Sequence, residues 1–257
     1  EHNMHSEFRQ KVYVEEYETR KKILHIFNSK YYLDKKKIDN LPIGLFGDFY
    51  SHELSFNLIN KNDYKNLINI FENCNLKIRR IFLDSFVKGS FISNDNPKVD
   101  TFLYIQIKED ISKIFYIEDD SVKYEQKFNF GTKIVTQDIS KITSLNIESI
   151  ENIIENNPDI EKVSDNEFVE KKYFSHQQYR KIKKNLILKI AEARIKELGE
   201  LIYLKNINFK NATKEEKVIF LEINDNKHQR CFEKVYTNCF ALNNKFDIRV
   251  IKNLDLE

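Results

Sequence analysis

Glycine is scarce in this chain: Gly44, Gly47, Gly89, Gly131 and Gly199 are all it has in 257 residues. Average usage of about 7% would give roughly 18. Glycine lets a backbone adopt positive φ and come close to a phosphate or a neighbouring strand. A chain this poor in it builds strands, helices and side-chain-lined turns readily, and glycine-lined phosphate loops with difficulty. Abundant Ile, Lys, Asn, Phe and Tyr point to an AT-rich genome, and that bias alone accounts for part of the deficit.

The remaining composition describes a globular chain. Hydrophobic residues make up 41% and charged residues 32%, enough apolar material for one large domain or two smaller ones. Basic and acidic residues number 42 and 40, a formal charge of +2, which implies neither nucleic acid nor an acidic membrane as partner. Cys74, Cys231 and Cys239 form no CxxC pair or Cys/His cluster, and their odd number argues against a disulfide framework and for a reduced compartment. No apolar run nears the ~20 residues that span a bilayer, and the N-terminus lacks a signal-peptide core.

Periodicity divides the chain in two. Residues 1–20 are polar and give no clear element. Residues 22–34 and 48–60 read as strands, with a Pro/Gly turn at 39–47 between them; 61–75 reads as a helix with Asn62 or Asp63 as N-cap, and 76–84 as a strand. A short helix over 85–93 and a linker at Asn94–Pro97 follow. A meander is expected at 100–107, 111–118 and 121–130, then helices over 131–140 and 147–157. The charged stretch 159–174 is ambiguous. The strongest helical pattern covers 176–204, with Ile187, Ile190, Ala191, Leu198, Leu201 and Ile202 as its apolar stripe. Residues 217–223, 225–242 and 246–252 read as strand, helix and strand.

Several residues invite chemical readings. His25 lies between Leu24 and Ile26 in a strand, where a packed histidine is expected. His2, His5, His52, His176 and His228 are dispersed and show no metal-ligand spacing. Gly44-Leu45-Phe46-Gly47 matches a nucleic-acid-binding GxxG loop only superficially and reads as a turn. Asp119-Asp120 and Glu109-Asp110 read as solvated turns, and the basic run 180–184 as a solvated helix start. Arg194 falls inside the apolar stripe at 100° per residue. An unpaired buried charge is costly, so it either snorkels to water or lines a cleft and meets an acidic partner.

The motif order resembles the bacterial cell-division protein FtsA of the actin/Hsp70 superfamily. The carriers are Leu24-His25, Tyr31 or Tyr32, Asp34, Pro42, Gly44 and Gly47; then Cys74-Asn75-Leu76-Lys77-Ile78; then the run Gly131-Thr132-Lys133-Ile134-Val135-Thr136-Gln137-Asp138-Ile139. The likeness is specific over 22–92, moderate over 100–140 and weak beyond. It implies a mixed α/β chain with a partial actin-like ATPase fold. Residues 1–84 would hold the family's inserted strand–helix–strand (SHS2-like) subdomain, 85–99 a connecting helix and linker, and 100–257 the second lobe, with a smaller helical subdomain at about 145–215. The family's first phosphate loop lies before the matched region, and its membrane-targeting amphipathic helix after it.

The resemblance places the family's second phosphate loop, Asp-x-Gly-Gly-Gly-Thr, on Ile105-Gln106-Ile107-Lys108-Glu109-Asp110. It places the adenosine-side Thr-Gly-Gly on Glu222-Ile223-Asn224. No glycine survives at either, and Glu109 and Asp110 bring carboxylates towards a polyphosphate. The alternative is an ordinary hairpin unrelated to phosphate. The implied function is an FtsA-like scaffold with a degenerate nucleotide site and no cofactor, at the inner face of the cytoplasmic membrane. ATP and Mg enter only if it is an active ATPase of the superfamily; a pilus or secretion scaffold of the same fold is the other alternative. The implied partners are the FtsZ C-terminal tail at Lys183, Lys184, Arg194 and Glu197, further copies of the chain, and other division proteins through 22–83. No nucleic acid is expected, and the membrane only through a segment outside this chain.

Overall fold

A computed structural model describes residues 20–157, 164, 166–174, 177–207, 218–241 and 246–252. His2, His5 and His176, the polar N-terminus and parts of 159–174 lie outside them. The described chain divides into two units: residues up to Asp95 with Glu118–Val122, and Asn96–Ile117 with the chain from Lys123 onwards.

The first unit is built on a three-stranded sheet in the order β2-β1-β3. β1 (Lys21–Leu33) pairs antiparallel with both β2 (Lys36–Ile38) and β3 (Tyr50–Asn60). Helix α1 (Lys61–Asn73) follows directly, and its N-cap is Asn60, ahead of the expected Asn62 or Asp63. The Asn60 amide contacts the Asp63 carboxylate at 3.2 Å. Residues 76–83 form no strand, contrary to expectation. Among the described residues no backbone hydrogen bond joins them to a neighbouring strand, and alternation without a partner does not make a ladder. Helix α2 (Asp84–Asp95) ends the segment. Phe27, Phe82 and Phe86 surround the His25 ring, and His25 Nε2 accepts the Leu83 N–H at 3.2 Å. This histidine is therefore a packed acceptor, and burial lowers its pKa.

The second unit carries a five-stranded sheet ordered β6-β5-β4-β7-β8. β4 (Thr101–Ile107), β5 (Ser112–Glu118) and β6 (Ser121–Phe128) form the expected meander. β7 (Val218–Ile223) runs parallel to β4 and to β8 (Asp247–Ile251). Parallel neighbours need a crossover; helix α6 (Asn226–Ala241) supplies it between β7 and β8. β4 and β7 are buried on both faces, which explains their nearly continuous apolar runs FLYIQI and VIFLEI.

Leu103, Ile105 and Ile107 share one face with Ile219, Leu221 and Ile223. Four helices pack over it: α3 (Lys133–Thr143), α4 (Ile147–Asn156), α5 (Lys184–Gly199) and α6. The Asn146 side chain caps α4 by accepting the Ser149 N–H at 2.8 Å.

Helix α5 starts at Lys184, eight residues after the predicted start. Val169 N–H donates to Ile182 O, and Phe168 bridges Lys183, so the segment before the helix is extended. A π-helical turn at Glu200–Leu204 continues α5. The extra residue per turn rotates the helix face. Leu201, expected in the stripe, is 43% exposed, while Ile195 joins the core.

Candidate functional site

β4 and β7 run parallel, with Gln106 opposite Glu222 and Ile107 opposite Ile223. Their carboxyl ends therefore lie side by side, and the chain leaves them at Lys108 and Asn224. Such ends are where open α/β sheets place ligands. The structure brings together the two stretches that the resemblance assigns to the nucleotide loops: Asn224 N–H donates to Ile107 O at 2.8 Å.

Ile105, Gln106 and Ile107 are strand residues with no solvent exposure. Glu222 is equally buried and faces sideways across the sheet. It accepts hydrogen bonds from the Tyr104 hydroxyl and from Gln106 Nε2, the latter at 2.8 Å. Its carboxylate therefore belongs to a polar contact between β4 and β7. Ile223 packs in the core.

Only Lys108, Glu109 and Asp110 form the turn. Lys108 N–H bonds Ile111 O at 2.9 Å. The turn's carbonyls face the start of α3: Thr132 N–H donates to Lys108 O at 2.9 Å and Lys133 N–H to Glu109 O at 3.0 Å. Gly131 makes this approach possible. A methyl group there would collide with the Lys108 carbonyl oxygen and lie 2.6 Å from that of Glu109. Lys133 Nζ adds an ion pair with Asp110 at 3.0 Å, which raises the lysine pKa through that hydrogen bond.

A helix N-terminus carries free N–H groups and a partial positive charge, a ready anion site. Two converge on this end of the sheet. The first N–H groups of α3 are taken by the hairpin turn. At α6, Asp225 Oδ1 accepts the N–H groups of Lys227 and His228, each at 3.1 Å. Asp225 Oδ2 accepts the Thr132 hydroxyl at 2.6 Å, tying the two helix starts together. Beneath them His228 Nε2 meets Thr136 Oγ1 at 3.0 Å. Burial lowers the His228 pKa, against the opposing pull of Asp225 and Glu151. Tyr236, fully buried on α6, has its phenol pushed upwards by the same desolvation. These residues fit a triphosphate poorly: the donors are spent on carbonyls and on one carboxylate, and two further carboxylates cap the turn.

The residues expected to bind a partner are only partly brought together. Arg194 finds an internal partner. Its guanidinium pairs with Asp138 of α3 and, at 2.7 Å, with Glu197. Asp138 belongs to the Thr136-Gln137-Asp138-Ile139 run, and its pairing with Arg194 had no local signal. These charges border a groove of about 290 Å³ between α3 and α5, lined also by Ile142, Lys189, Ile190 and Ala193. Lys183 and Lys184 lie elsewhere. Lys184 pairs with Glu167 at 3.8 Å and sits ten residues before Arg194, about 15 Å along the helix axis. Lys189 lines the same groove as Arg194; an i, i+5 spacing does not put two side chains on one helix face, so periodicity carried no signal for it.

No family model matches the chain. A 131-residue stretch, 51% of the chain, is 25% identical to the cell division protein FtsA of Buchnera aphidicola subsp. Acyrthosiphon pisum and spans 31% of that protein. Among solved structures, the type IV pilus biogenesis complex PilM–PilN superposes with a TM-score of 0.54 at 9% identity, covering 96% of this chain and 62% of that one. MreB 5 of Spiroplasma citri, bound to AMPPNP, gives a TM-score of 0.49 at 11% identity, over 75% of this chain and 60% of the other.

Proposed function

We propose, from the premise that this is a divergent FtsA-like chain with the actin-like ATPase fold, that it works as a cell-division scaffold without using ATP. In this reading it holds the acidic-hydrophobic C-terminal tail of FtsZ and helps link FtsZ to the inner face of the cytoplasmic membrane. One observation carries the loss of nucleotide binding: the start of α3 is closed by the Lys108 and Glu109 carbonyls, and that of α6 by Asp225. A phosphate arriving there meets oxygen atoms where the fold would otherwise offer N–H groups. Calorimetric titration with ATP and magnesium should give no heat of binding up to millimolar nucleotide. Micromolar, magnesium-dependent binding would instead support the active ATPase.

For the FtsZ tail, the α3/α5 groove supports the reading. Ile142 is 61% exposed at its rim, and Lys189 and Arg194 both line it. An acidic-hydrophobic peptide would lay an apolar side chain on Ile142 and Ile190 and compete with Asp138 and Glu197 for the guanidinium. Fluorescence anisotropy with a labelled FtsZ tail peptide tests this. Charge reversal of Lys189 should weaken binding at least tenfold, and reversal of Lys183 and Lys184 less. Unchanged affinity in all three would remove the FtsZ reading.

A second reading, a pilus-assembly scaffold, is favoured by the 96% coverage of this chain in the superposition on PilM–PilN. The same assay separates the two, because a pilus scaffold has no reason to hold an FtsZ tail.

A further inference from the structure

One edge of β1 is largely open. β3 takes one side of the strand and β2 covers only Tyr31–Leu33 on the other, so Lys21–Lys30 has no strand beside it there among the described residues. An open edge presents a row of backbone N–H and C=O groups, a template for a further strand. Residues 76–83 stand opposite. The two walls meet where His25 Nε2 accepts the Leu83 N–H at 3.2 Å. No backbone–backbone hydrogen bond crosses between them among the described residues. A cleft of about 380 Å³ separates them, bounded by Lys22–His25 of β1, by Ile78–Phe82 and by Tyr64 of α1. Four strand residues extend for about 13 Å at ~3.3 Å each, so the cleft has the length of a short peptide strand.

Its walls carry one sign of charge. Residues 20–33 and 73–83 contain no Asp or Glu. Lys21, Lys77, Arg79 and Arg80 are exposed, and with Lys22 they enter no ion pair among the described residues. Lys22 lies over the Tyr64 ring, 3.7 Å from its centroid. The acids of the adjoining elements are Glu53 of β3, Asp63 and Glu72 of α1, and Asp84 and Asp95 of α2. Glu53 is opposite Lys30, Asp63 takes the Asn60 amide, and Asp84 pairs with Lys88 at 3.4 Å. None of the five lines the cleft.

We propose that this cleft docks an extended acidic peptide of a partner protein. The peptide adds a strand to the open edge of β1, and its carboxylates accept charge-assisted hydrogen bonds from Arg79, Arg80 and Lys22. Edge and charge together select this occupant. A nucleic acid would satisfy the cations and leave the strand edge unmatched; a neutral or basic strand would do the reverse. The site lies within the first unit and is independent of the nucleotide and FtsZ readings. It gives a chemistry to the contacts expected through residues 22–83.

The probe is a fluorescein-labelled hexapeptide alternating glutamate and valine, titrated by anisotropy against the full chain. The Lys189→Glu background keeps the α3/α5 groove from contributing. The peptide should bind, and Arg79→Glu and Arg80→Glu should each weaken it at least tenfold. Both side chains are exposed, so the fold should survive, which circular dichroism checks. Lys141→Glu, an equal charge change on α3, should weaken binding less than twofold. The same peptide with N-methylated valines keeps its charge but loses backbone donors, and should bind at least tenfold more weakly. No binding, unchanged affinity in the Arg79 and Arg80 variants, an equal loss in Lys141→Glu, or equal binding of the N-methylated peptide would each overturn the proposal. So would tighter binding of a thymidine oligonucleotide of matching length, which would assign the cleft to single-stranded nucleic acid.

Discussion

In the second unit, β4 and β7 bury both faces and four helices close over one of them, leaving Phe232 and Tyr236 with no solvent exposure. In the first unit, α1 buries no residue, and Ile92 and Val122 are its buried hydrophobic side chains among those described. Both units are rich in apolar residues, so composition does not separate them; layering does. A sheet with helices packed across it removes apolar area from water on a large scale. A three-stranded sheet with the helices α1 and α2 leaves much of that area outside, where it is available to other surfaces.

The contrast predicts unequal costs of truncation. Phe232→Ala should destabilise the second unit by about 3–5 kcal/mol, whereas Phe56→Ala, on the partly exposed face of β3, should cost under about 1 kcal/mol. Denaturant unfolding should show the first unit losing structure at lower denaturant. Equal costs, or one coincident transition, would break the comparison.

Glycine substitutions sharpen it at the level of the backbone. Gly131→Ala forces a methyl group against two carbonyl oxygens of the hairpin turn, an overpacking cost of about 1–3 kcal/mol. Gly47→Ala meets mainly the Leu33 side chain, which can rotate away, so its loss should be smaller by thermal denaturation. The reverse order would mean that the 108–110 turn is less firmly seated on α3 than its hydrogen bonds imply.

Burial lowers the pKa of His52 as well, and His25 and His228 provide the pH test. Each has a folded pKa lowered by burial from its ordinary value of 6.5. The unfolded chain then binds more protons as pH falls, so stability present above about 6.5 is lost between that value and the lowered folded one. His228 is the more deeply buried, and His228→Gln should flatten this slope more than His25→Gln in urea titrations at pH 5 and 7.5. Equal flattening would place the two rings in equivalent surroundings.

Ion pairs should matter least in either unit. Arg194 with Asp138, and Lys30 with Glu118 at 2.6 Å, both remain partly exposed, and such pairs contribute about 0–1 kcal/mol. Arg194→Met and Lys30→Met should shift the unfolding midpoint only slightly, and less at high salt. A loss above about 2 kcal/mol at Arg194 would make its contact with Asp138 a structural clasp.

Where elements make their own case locally, the chain was readable. β4, β5 and β6, helices α3 and α4, and the β7–α6–β8 run lie within about three residues of their expected limits, because period and turn residues mark them. Residues 76–83 alternate like a strand, but a strand exists only through its neighbours. The start of α5 was misplaced because residues 177–183 are charged and extended, held by Val169 and Phe168. The site divides the same way. The absence of glycine at 105–110 and 222–224 is plain in the letters. Closure of the α3 start is not, because a backbone carbonyl used as an acceptor leaves no trace in residue identity.

By itself, the order of residues determined most of the strands and helices of the second unit, and that no glycine-lined loop follows β4 or β7. Side-chain volume and backbone freedom are local properties, and they set both. Tertiary structure decided where Arg194 finds its counter-charge, which carbonyls occupy a helix start, and that residues 76–83 form no strand beside β1. Each of these depends on distances between groups far apart in the chain, and only packing brings such groups within hydrogen-bonding range or keeps them out of it.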